Sequence, residues 1–587
     1  MKINLCMIVK DDSEVKKLNN CLDTIQPYVD QVYITANGKK VKKIKKLCED
    51  RKCHYSYIKW NDNFGEVRNF NFKQAEDCDY ILWLDADDLF IGGELIRDLA
   101  NMALTNGKDG VMLDYWYGCT FTGEPSLETF DHIDIQHPRE RLIRPQSVTW
   151  NGRLHETPVR AKGAKDNYSY LKYTEKDPIA VMHTATLQDS IEKMQRNLKI
   201  LNIQLEEEKK KGSVDPRTLL HIIKIYNDLD DKDLWLKGIE YCDEYMEKSG
   251  WDEERSVCME HKGSLYQHLG KHRESVECYL QAIKEWPHNP LPYLRLASAY
   301  YLLGNFPACK RWLESAIHID LKDFGSTVIN LTAMKTLTAE LMTKLAFNVD
   351  KDVKKALQSS YKLVEANPTE ENIGNYQFLE DLNVLNNACE HLDKYCRYLI
   401  EIGEDKKVPK ILFNSPMSIQ AQPFAVNLLK KTTPPRKWGE KEICYFANFG
   451  GKHFHKWDGL SIQKGIGGSE TAVIRLSEEW TKLGYKVTVF GDPEKPVIIN
   501  GVTYLPYFYF NKDDEFNILI QWRGPFLADK FKAKKFFVDL HDIFHPGDYS
   551  PELLKHIDKI FVKSKYHRDL ASNIPDDKFV INSNGIL

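Results

Sequence analysis

The chain has no unbroken apolar run of roughly 18 residues, the least a bilayer-spanning helix needs, so no transmembrane segment is expected. It also has no Cys-x-x-Cys pair. Its 13 cysteines are scattered, which argues against a zinc site or a thioredoxin-like motif and fits reduced thiols. Charge of one sign is not in excess: a net −4 gives no broad attraction to nucleic acid or to an anionic membrane. Met1-Lys2-Ile3 leads straight into an apolar strand and leaves no room for a signal peptide. These absences together predict a cytoplasmic protein with no nucleic-acid partner.

What is present is a large chain with ample apolar content, 587 residues of which 42% are hydrophobic, enough for about three or four domains. Ile3 to Val9, Gln31 to Thr35 and Cys53 to Ile58 read as strands separated by amphipathic stretches. Strands that alternate with helices predict a parallel sheet with both faces covered. In Lys39 to Lys46, Val41 and Ile44 lie three apart, so this basic cluster reads as an amphipathic helix with a solvated face. The apolar run Tyr80 to Leu84 is a further buried strand, and Asp85-Ala86-Asp87-Asp88 follows it directly. Carboxylates at the C-terminal end of such a strand face the crevice where open α/β sheets bind ligands. Two aspartates one residue apart can share a hard divalent cation, which prefers oxygen ligands and substrate phosphates.

The segments MIVKDD, WNDNFGEVRNFNFKQAEDCDYILWLDADDLF and RLIRPQSVTWNGRLHETP, in this order, resemble the GT-A glycosyltransferases of family 2. The likeness is to the subgroup in which a short GT-A domain precedes tetratricopeptide repeats, among them peptide S-glycosyltransferases and lipopolysaccharide-core glucosyltransferases. It covers residues 1–190. The resemblance implies an α/β GT-A (Rossmann-like) domain that holds a nucleotide sugar with Mn²⁺ or Mg²⁺. Asp85 and Asp87 match the pair that holds the metal on the diphosphate, and His183 matches a late histidine that completes the site. Arg68 and Asn69 match an element lining the nucleotide pocket, and Asp12 an acid near the base. His155 and Glu156 match the pair near the acceptor, with Glu156 the candidate general base. The family's Asp-x-Gly-Ser-x-Asp element is here Thr35-Ala36-Asn37-Gly38-Lys39, without the aspartate that touches the base. Asn37 stands in its place in the pocket, the identity of the base stays open, and Gly38 keeps a close backbone turn possible.

The chemistry follows from charge. Displacing a nucleotide from an anomeric carbon places negative charge on the leaving phosphate, which a metal stabilises as a Lewis acid. A carboxylate near the acceptor takes the proton of the attacking group, worth roughly 10²–10⁴-fold. The expected activity is transfer of a hexose from a UDP-sugar such as UDP-glucose to a glycan or polypeptide acceptor, with inversion implied by the family. Other readings stand beside these: Glu156 as a loop acid beside Pro158, His183 as a core histidine, and the whole as an inactive transferase serving as a repeat scaffold.

Residues 191–405 change character to amphipathic helices. Gly263, Gly270, Tyr279, Ala282 and Pro287 fit the tetratricopeptide pattern, and Ala297, Tyr300, Gly304, Leu313 and Ala316 repeat it at a period of about 34 residues. Leu219 to Lys248 and Asp352 to Pro368 read as degenerate copies. Such an all-α solenoid offers a concave face for protein binding or self-association. Residues 406–440 read as a linker. From 441 on, GGSETAVIRLSEEWTKLGYKVTVFGD, FNILIQWRGP, FFVDLHD and IDKIFVKSKYHRDL resemble the N-terminal, Rossmann-like half of a family 4 GT-B glycosyltransferase. A glycine-rich turn before a helix suits anions. The chain stops at Asn584-Gly585-Ile586-Leu587, where that family's second half begins, so residues 441–587 are expected not to transfer sugar unaided. His541 and Asp542 correspond to acceptor-side positions of an intact enzyme.

Overall fold

A computed structural model describes residues 1–162, 164, 169–172, 179–184, 191–320, 329–447, 456–525, 530–542, 547, 549–570 and 574–582. The chain forms two compact units, Met1–Leu379 and Glu380–Leu587. Among the described residues no helix is long and apolar enough to cross a membrane.

The first unit opens with parallel strands β1 (Ile3–Val9), β2 (Gln31–Ala36), β3 (His54–Tyr57) and β4 (Tyr80–Asp85), in the order β3-β2-β1-β4. Every residue of β1 is buried, as a central strand covered on both faces requires. Helices α1 (Val15–Ile25), α2 (Lys42–Asp50), α3 (Phe64–Gln74) and α4 (Ile96–Thr105) supply the cover. In α2 only Ile44 and Cys48 are buried, so the lysine cluster is the solvated side of an amphipathic helix.

Beyond β4 the sheet is mixed rather than parallel. β5 (Asp88–Ile91), β6 (Gly110–Phe121), β7 (Phe130–Ile143), β8 (Val148–Asn151), β9 (Thr157–Arg160), β10 (Tyr170–Lys172) and β11 (Ala180–His183) follow. The order continues β4-β7-β6-β11-β5, with β6 and β7 a long antiparallel hairpin and β8 paired only with β9. The connection from β6 to β7 is too short for a crossover helix, so antiparallel pairing is the only arrangement open to it.

Helices α5 (Ile191–Lys210), α6 (Pro216–Asp228), α7 (Lys232–Lys248), α8 (Asp252–His268), α9 (His272–Glu285), α10 (Pro290–Leu302), α11 (Phe306–Ile317), α12 (Leu331–Lys344) and α13 (Val353–Ala366) form the repeats. At the α8–α9 crossing a Cβ on Gly263 would lie 2.5 Å from the Tyr279 ring, so the small residue there is a packing requirement. The repeats join the sheet domain at both ends. Leu154 packs with Ile200 and Leu219, and Arg153 pairs with Glu207 at 2.7 Å. At the far end β12 (Ile329–Asn330) pairs with β7, and Thr332 donates to Asp134.

Three partly buried histidines in this unit titrate low: His137, His221 and His261. Burial, with Arg139 and Arg141 nearby, pushes His137 down to about 4, and burial with Lys224 and Arg295 does the same for His261 against the opposing Glu260. Both are neutral when folded and take up protons on unfolding below the usual value of about 6.5. Their contribution is therefore present above pH 6.5 and is lost as pH falls toward 4. Lowering the pH from 7.5 to 5 should remove about 2 kcal/mol per histidine, read as a lower urea midpoint that His261→Gln partly flattens.

α14 (Glu370–Glu401) carries the chain across the division between the units. Within the expected linker 406–440, residues 433–440 carry no helix and residues 407–432 are largely helical. α15 (Lys407–Phe413), α16 (Met417–Gln420) and α17 (Pro423–Thr432) occupy them, and Val408, Leu412 and Leu428 share a core with Cys396 and Leu399. Pro423 opens α17 in its first turn, where its missing N–H costs nothing. The second unit's sheet comprises β13 (Glu442–Phe446), β14 (Lys486–Gly491), β15 (Val497–Ile499), β16 (Val502–Pro506), β17 (Glu515–Trp522), β18 (Lys532–Asp539), β19 (Lys559–Val562) and β20 (Phe579–Ile581), in the order β15-β16-β14-β13-β17-β18-β19-β20. All its pairs are parallel except β15 with β16. The terminal Asn584 to Leu587 lie outside the described residues.

Candidate active site

Strand β4 ends at Asp85, β5 begins at Asp88, and β11 runs antiparallel to β5 with His183 opposite Asp88. This register brings a histidine from ninety-odd residues away onto the acidic turn. Asp88 is fully buried. Its carboxylate accepts from the Asp85 amide at 3.0 Å, Arg141 Nη1 at 3.1 Å, Tyr115 Oη at 3.3 Å and His183 Nδ1 at 3.1 Å. A carboxylate only accepts, so Nδ1 carries the proton and Nε2 is the nitrogen with a lone pair to offer. Asp88 therefore orients His183 in the way outer partners orient metal-binding histidines. Sequence reading singled out Asp85, Asp87 and His183 but gave Asp88 no role, because only the β5–β11 register reveals it.

Asp87 is the accessible carboxylate of the group. Its side chain is 26% exposed, with Lys17 Nζ at 3.5 Å and His183 Nδ1 at 3.7 Å. Its backbone carbonyl is fixed by the amide and hydroxyl of Thr184, both at 2.8 Å. Burial raises its carboxyl above the usual range, and Asp88 and Asp85 add to that, against His183 and Lys17. One ligand atom each from Asp87, Asp88 and His183 lie within 4.8 Å of one another. Crowded carboxylate oxygens with an imidazole beside them fit a hard or borderline divalent cation, whose charge would relieve their repulsion.

Asp85 is turned toward Arg68. Arg68 Nη2 donates to it at 2.7 Å, and Arg68 Nε donates to Glu156 at 2.5 Å. The guanidinium also lies over the Trp83 ring at 4.3 Å and the Trp150 ring at 5.3 Å. Burial alone would raise the Asp85 carboxyl, but Arg68 and Arg141 outweigh it and hold it at about 2. Burial opposes the charge on Arg68, and the two carboxylates more than restore it. Glu156 is thus a buried partner of Arg68, where the sequence suggested a base open to an acceptor. Its neighbour His155 is exposed, holds a left-handed φ of 53°, and stacks on His221 of α6 with ring centroids 4.0 Å apart.

The remaining expected residues serve the local fold. Asp12 accepts from the amides of Lys43 and Ile44 at 2.8 and 3.1 Å, capping α2, so that oxygen is committed. Asn69 exchanges two 2.9 Å hydrogen bonds with the Trp150 backbone and ties α3 to β8. Asn37 is buried just past β2, and its amide donates to the Val9 carbonyl at 3.1 Å. A Cβ on Gly38 would lie 2.2 Å from the Lys10 carbonyl, so this glycine is needed for the close approach of the two loops that follow β1 and β2. Those loops, with the β4 end, form one rim on which Asp12, Asn37 and Asp85 sit together.

In the second unit, buried Asp539 accepts from Tyr445 Oη at 2.5 Å, Lys563 Nζ at 2.6 Å and His541 Nε2 at 3.2 Å. Asp542 is exposed and pairs with Arg523 at 3.2 Å.

Two family models match parts of the chain. Residues 14–162 match the family model described as glycosyl transferase family 2, and residues 258–287 match that of a tetratricopeptide repeat. The chain thus carries a family 2 glycosyltransferase domain at its N-terminal end and a repeat downstream. No curated protein matches. Among solved structures, the first tetratricopeptide domain of Spaghetti is 19% identical, over 23% of this chain and 98% of its own, with a TM-score of 0.19. A tetratricopeptide protein of Thermus thermophilus is 16% identical, over 32% of this chain and 91% of its own, with a TM-score of 0.25.

Proposed function

We propose that the N-terminal domain transfers a hexose from a nucleotide sugar, a UDP-sugar by family likeness, to a glycan or polypeptide acceptor with the help of Mn²⁺ or Mg²⁺. The observation that carries the reading is the acidic turn itself: Asp87 half-buried among carboxylates, with His183 aimed beside it by Asp88. Asp87, His183 Nε2 and the remaining oxygen of Asp85 would hold the metal, which when bound supplies Lewis-acid stabilisation of the departing diphosphate. Arg68 fixes Asp85 and keeps it ionised, and Glu156 fixes Arg68 from the other side. Asp12 and Asn37 line the rim on which the nucleotide base would rest. Residues 441–587 we read as one half of a GT-B enzyme, supported by a parallel sheet whose glycine-rich turn precedes α18 (Gly468–Lys482). No catalytic part is assigned to that half, and the cytoplasm remains the expected location.

A panel of nucleotide sugars incubated with the full chain and Mn²⁺ tests the reading, since competent transferases hydrolyse donor slowly without acceptor. Release of nucleotide from at least one donor, abolished by chelation, is expected. No release from any donor would favour a repeat scaffold with an inactive domain.

Glu156→Gln discriminates between two roles for that residue. We expect donor affinity and rate to fall together, because the change loosens Arg68 and, through it, Asp85. A rate loss of roughly 10² or more with donor affinity unchanged would instead make Glu156 the general base.

A further inference from the structure

Helix α12 runs into a π-helical turn, Leu345–Asp350, after which Lys351 takes a left-handed φ of 57°. Such turns are rare and are found mostly at functional sites. This one brings Phe347 and Asn348 to a pocket of about 470 Å³, lined otherwise by α12, α13, the loop after it and the start of α14. Every lining residue belongs to the first unit. The volume falls in the range of about 300–1,000 Å³ usual for small-molecule sites.

Ser360 of α13 lines the pocket at 0% exposure, and its Oγ has no hydrogen-bond partner among the described residues. A buried hydroxyl in that state is unfavourable until a polar group of a ligand meets it. Asn348 donates to Tyr301 Oη at 2.9 Å, and Asn372 to the Asn367 carbonyl at 2.8 Å. Both amides are thereby held, and each side-chain oxygen remains an acceptor.

Charge and ring geometry narrow the class of ligand. Glu340 pairs with Lys344, and Glu371 has no counter-charge within the lining. Carboxylates thus outnumber ammonium groups, which disfavours phosphates and other anions. Phe347 and Phe378 meet edge to face with centroids 6.0 Å apart, and Phe378 is still 56% exposed. A pyranose turns polarised C–H groups to the negative face of an aromatic ring. Its hydroxyls, each both donor and acceptor, match carboxamides, a carboxylate and Ser360. A glycan meets both parts of the lining with one repeating unit, whereas a peptide would need particular side chains to do so.

We propose that this pocket binds a neutral glycan, at a site separate from the acidic turn.

Titration calorimetry of the full chain with cellobiose, maltose, lactose and chitobiose tests it, with digalacturonate and tetraglycine as comparisons. At least one neutral disaccharide should bind with a Kd of about 1 mM or tighter, and about tenfold or more tightly than either comparison. Ser360→Ala should weaken that binding by about three- to tenfold. The ligand-free thermal midpoint of this variant should stay level or rise, because the hydroxyl removed has no partner to lose. Phe378→Ala, at an exposed position, should weaken binding about tenfold. Absence of binding by every neutral disaccharide, or equal binding of digalacturonate or tetraglycine, would overturn the proposal. So would either variant that binds the disaccharide as tightly as the unaltered chain, or a Ser360→Ala chain whose midpoint falls while its binding is kept.

Discussion

Asp87→Asn is expected to lower metal-stimulated nucleotide release by on the order of 10³-fold or more, while the chain stays folded. The side chain is one-quarter exposed and sits among carboxylates, so its removal takes away charge and little packing. The sign of the stability change follows from the direction of its titration. Burial, Asp88 and Asp85 raise the Asp87 carboxyl above its unfolded value, so the ionised group disfavours folding at neutral pH. Neutralising it should leave the metal-free thermal midpoint unchanged or higher. Full activity of the variant with Mn²⁺ present would remove Asp87 from the site. A sharp drop in the midpoint would mean that the residue supports the fold.

Arg68→Met is expected to cost roughly 3–5 kcal/mol of stability in the first unit. Arg68 is buried, and its loss takes away the one cation that bonds both Asp85 and Glu156. Arg68→Lys should recover only part of this, because one ammonium cannot reproduce a guanidinium that reaches two carboxylates and lies over two tryptophan rings. Urea unfolding reads both variants. A loss below about 1 kcal/mol for Arg68→Met would show that water replaces the pair.

The acidic turn was legible in the sequence because its signal is local. A run of apolar residues ending in aspartates specifies a buried strand and what its end presents, with no knowledge of the rest of the chain. The tetratricopeptide spacing was legible for the same reason, since Gly263 must be small wherever Tyr279 crosses it. Asp88 and Arg141 were not, because their roles come from strand register: β5 against β11, and β6 against β7. Nothing near Asp88 in sequence says that His183 will lie opposite it. The local hydrogen bonds of Asp12 and Asn69 were not legible either, because a family motif transmits position and not hydrogen-bond partners. Residues 406–440 read as linker from the Pro- and Lys-rich stretch at their end, which carries no helix, while Val408, Leu412 and Leu428 before it bury a small core. His221 lies far from any motif and reached the site only through the docking of α6.

Manganese located by anomalous scattering, in crystals of the full chain grown with Mn²⁺ and UDP, tests the central claim most directly. The account predicts a peak at coordination distance from the Asp87 carboxylate and His183 Nε2, with the diphosphate beside it and Asp88 still bonded to His183 Nδ1. A peak elsewhere in the chain, or a diphosphate bound with no manganese near Asp87, would contradict it.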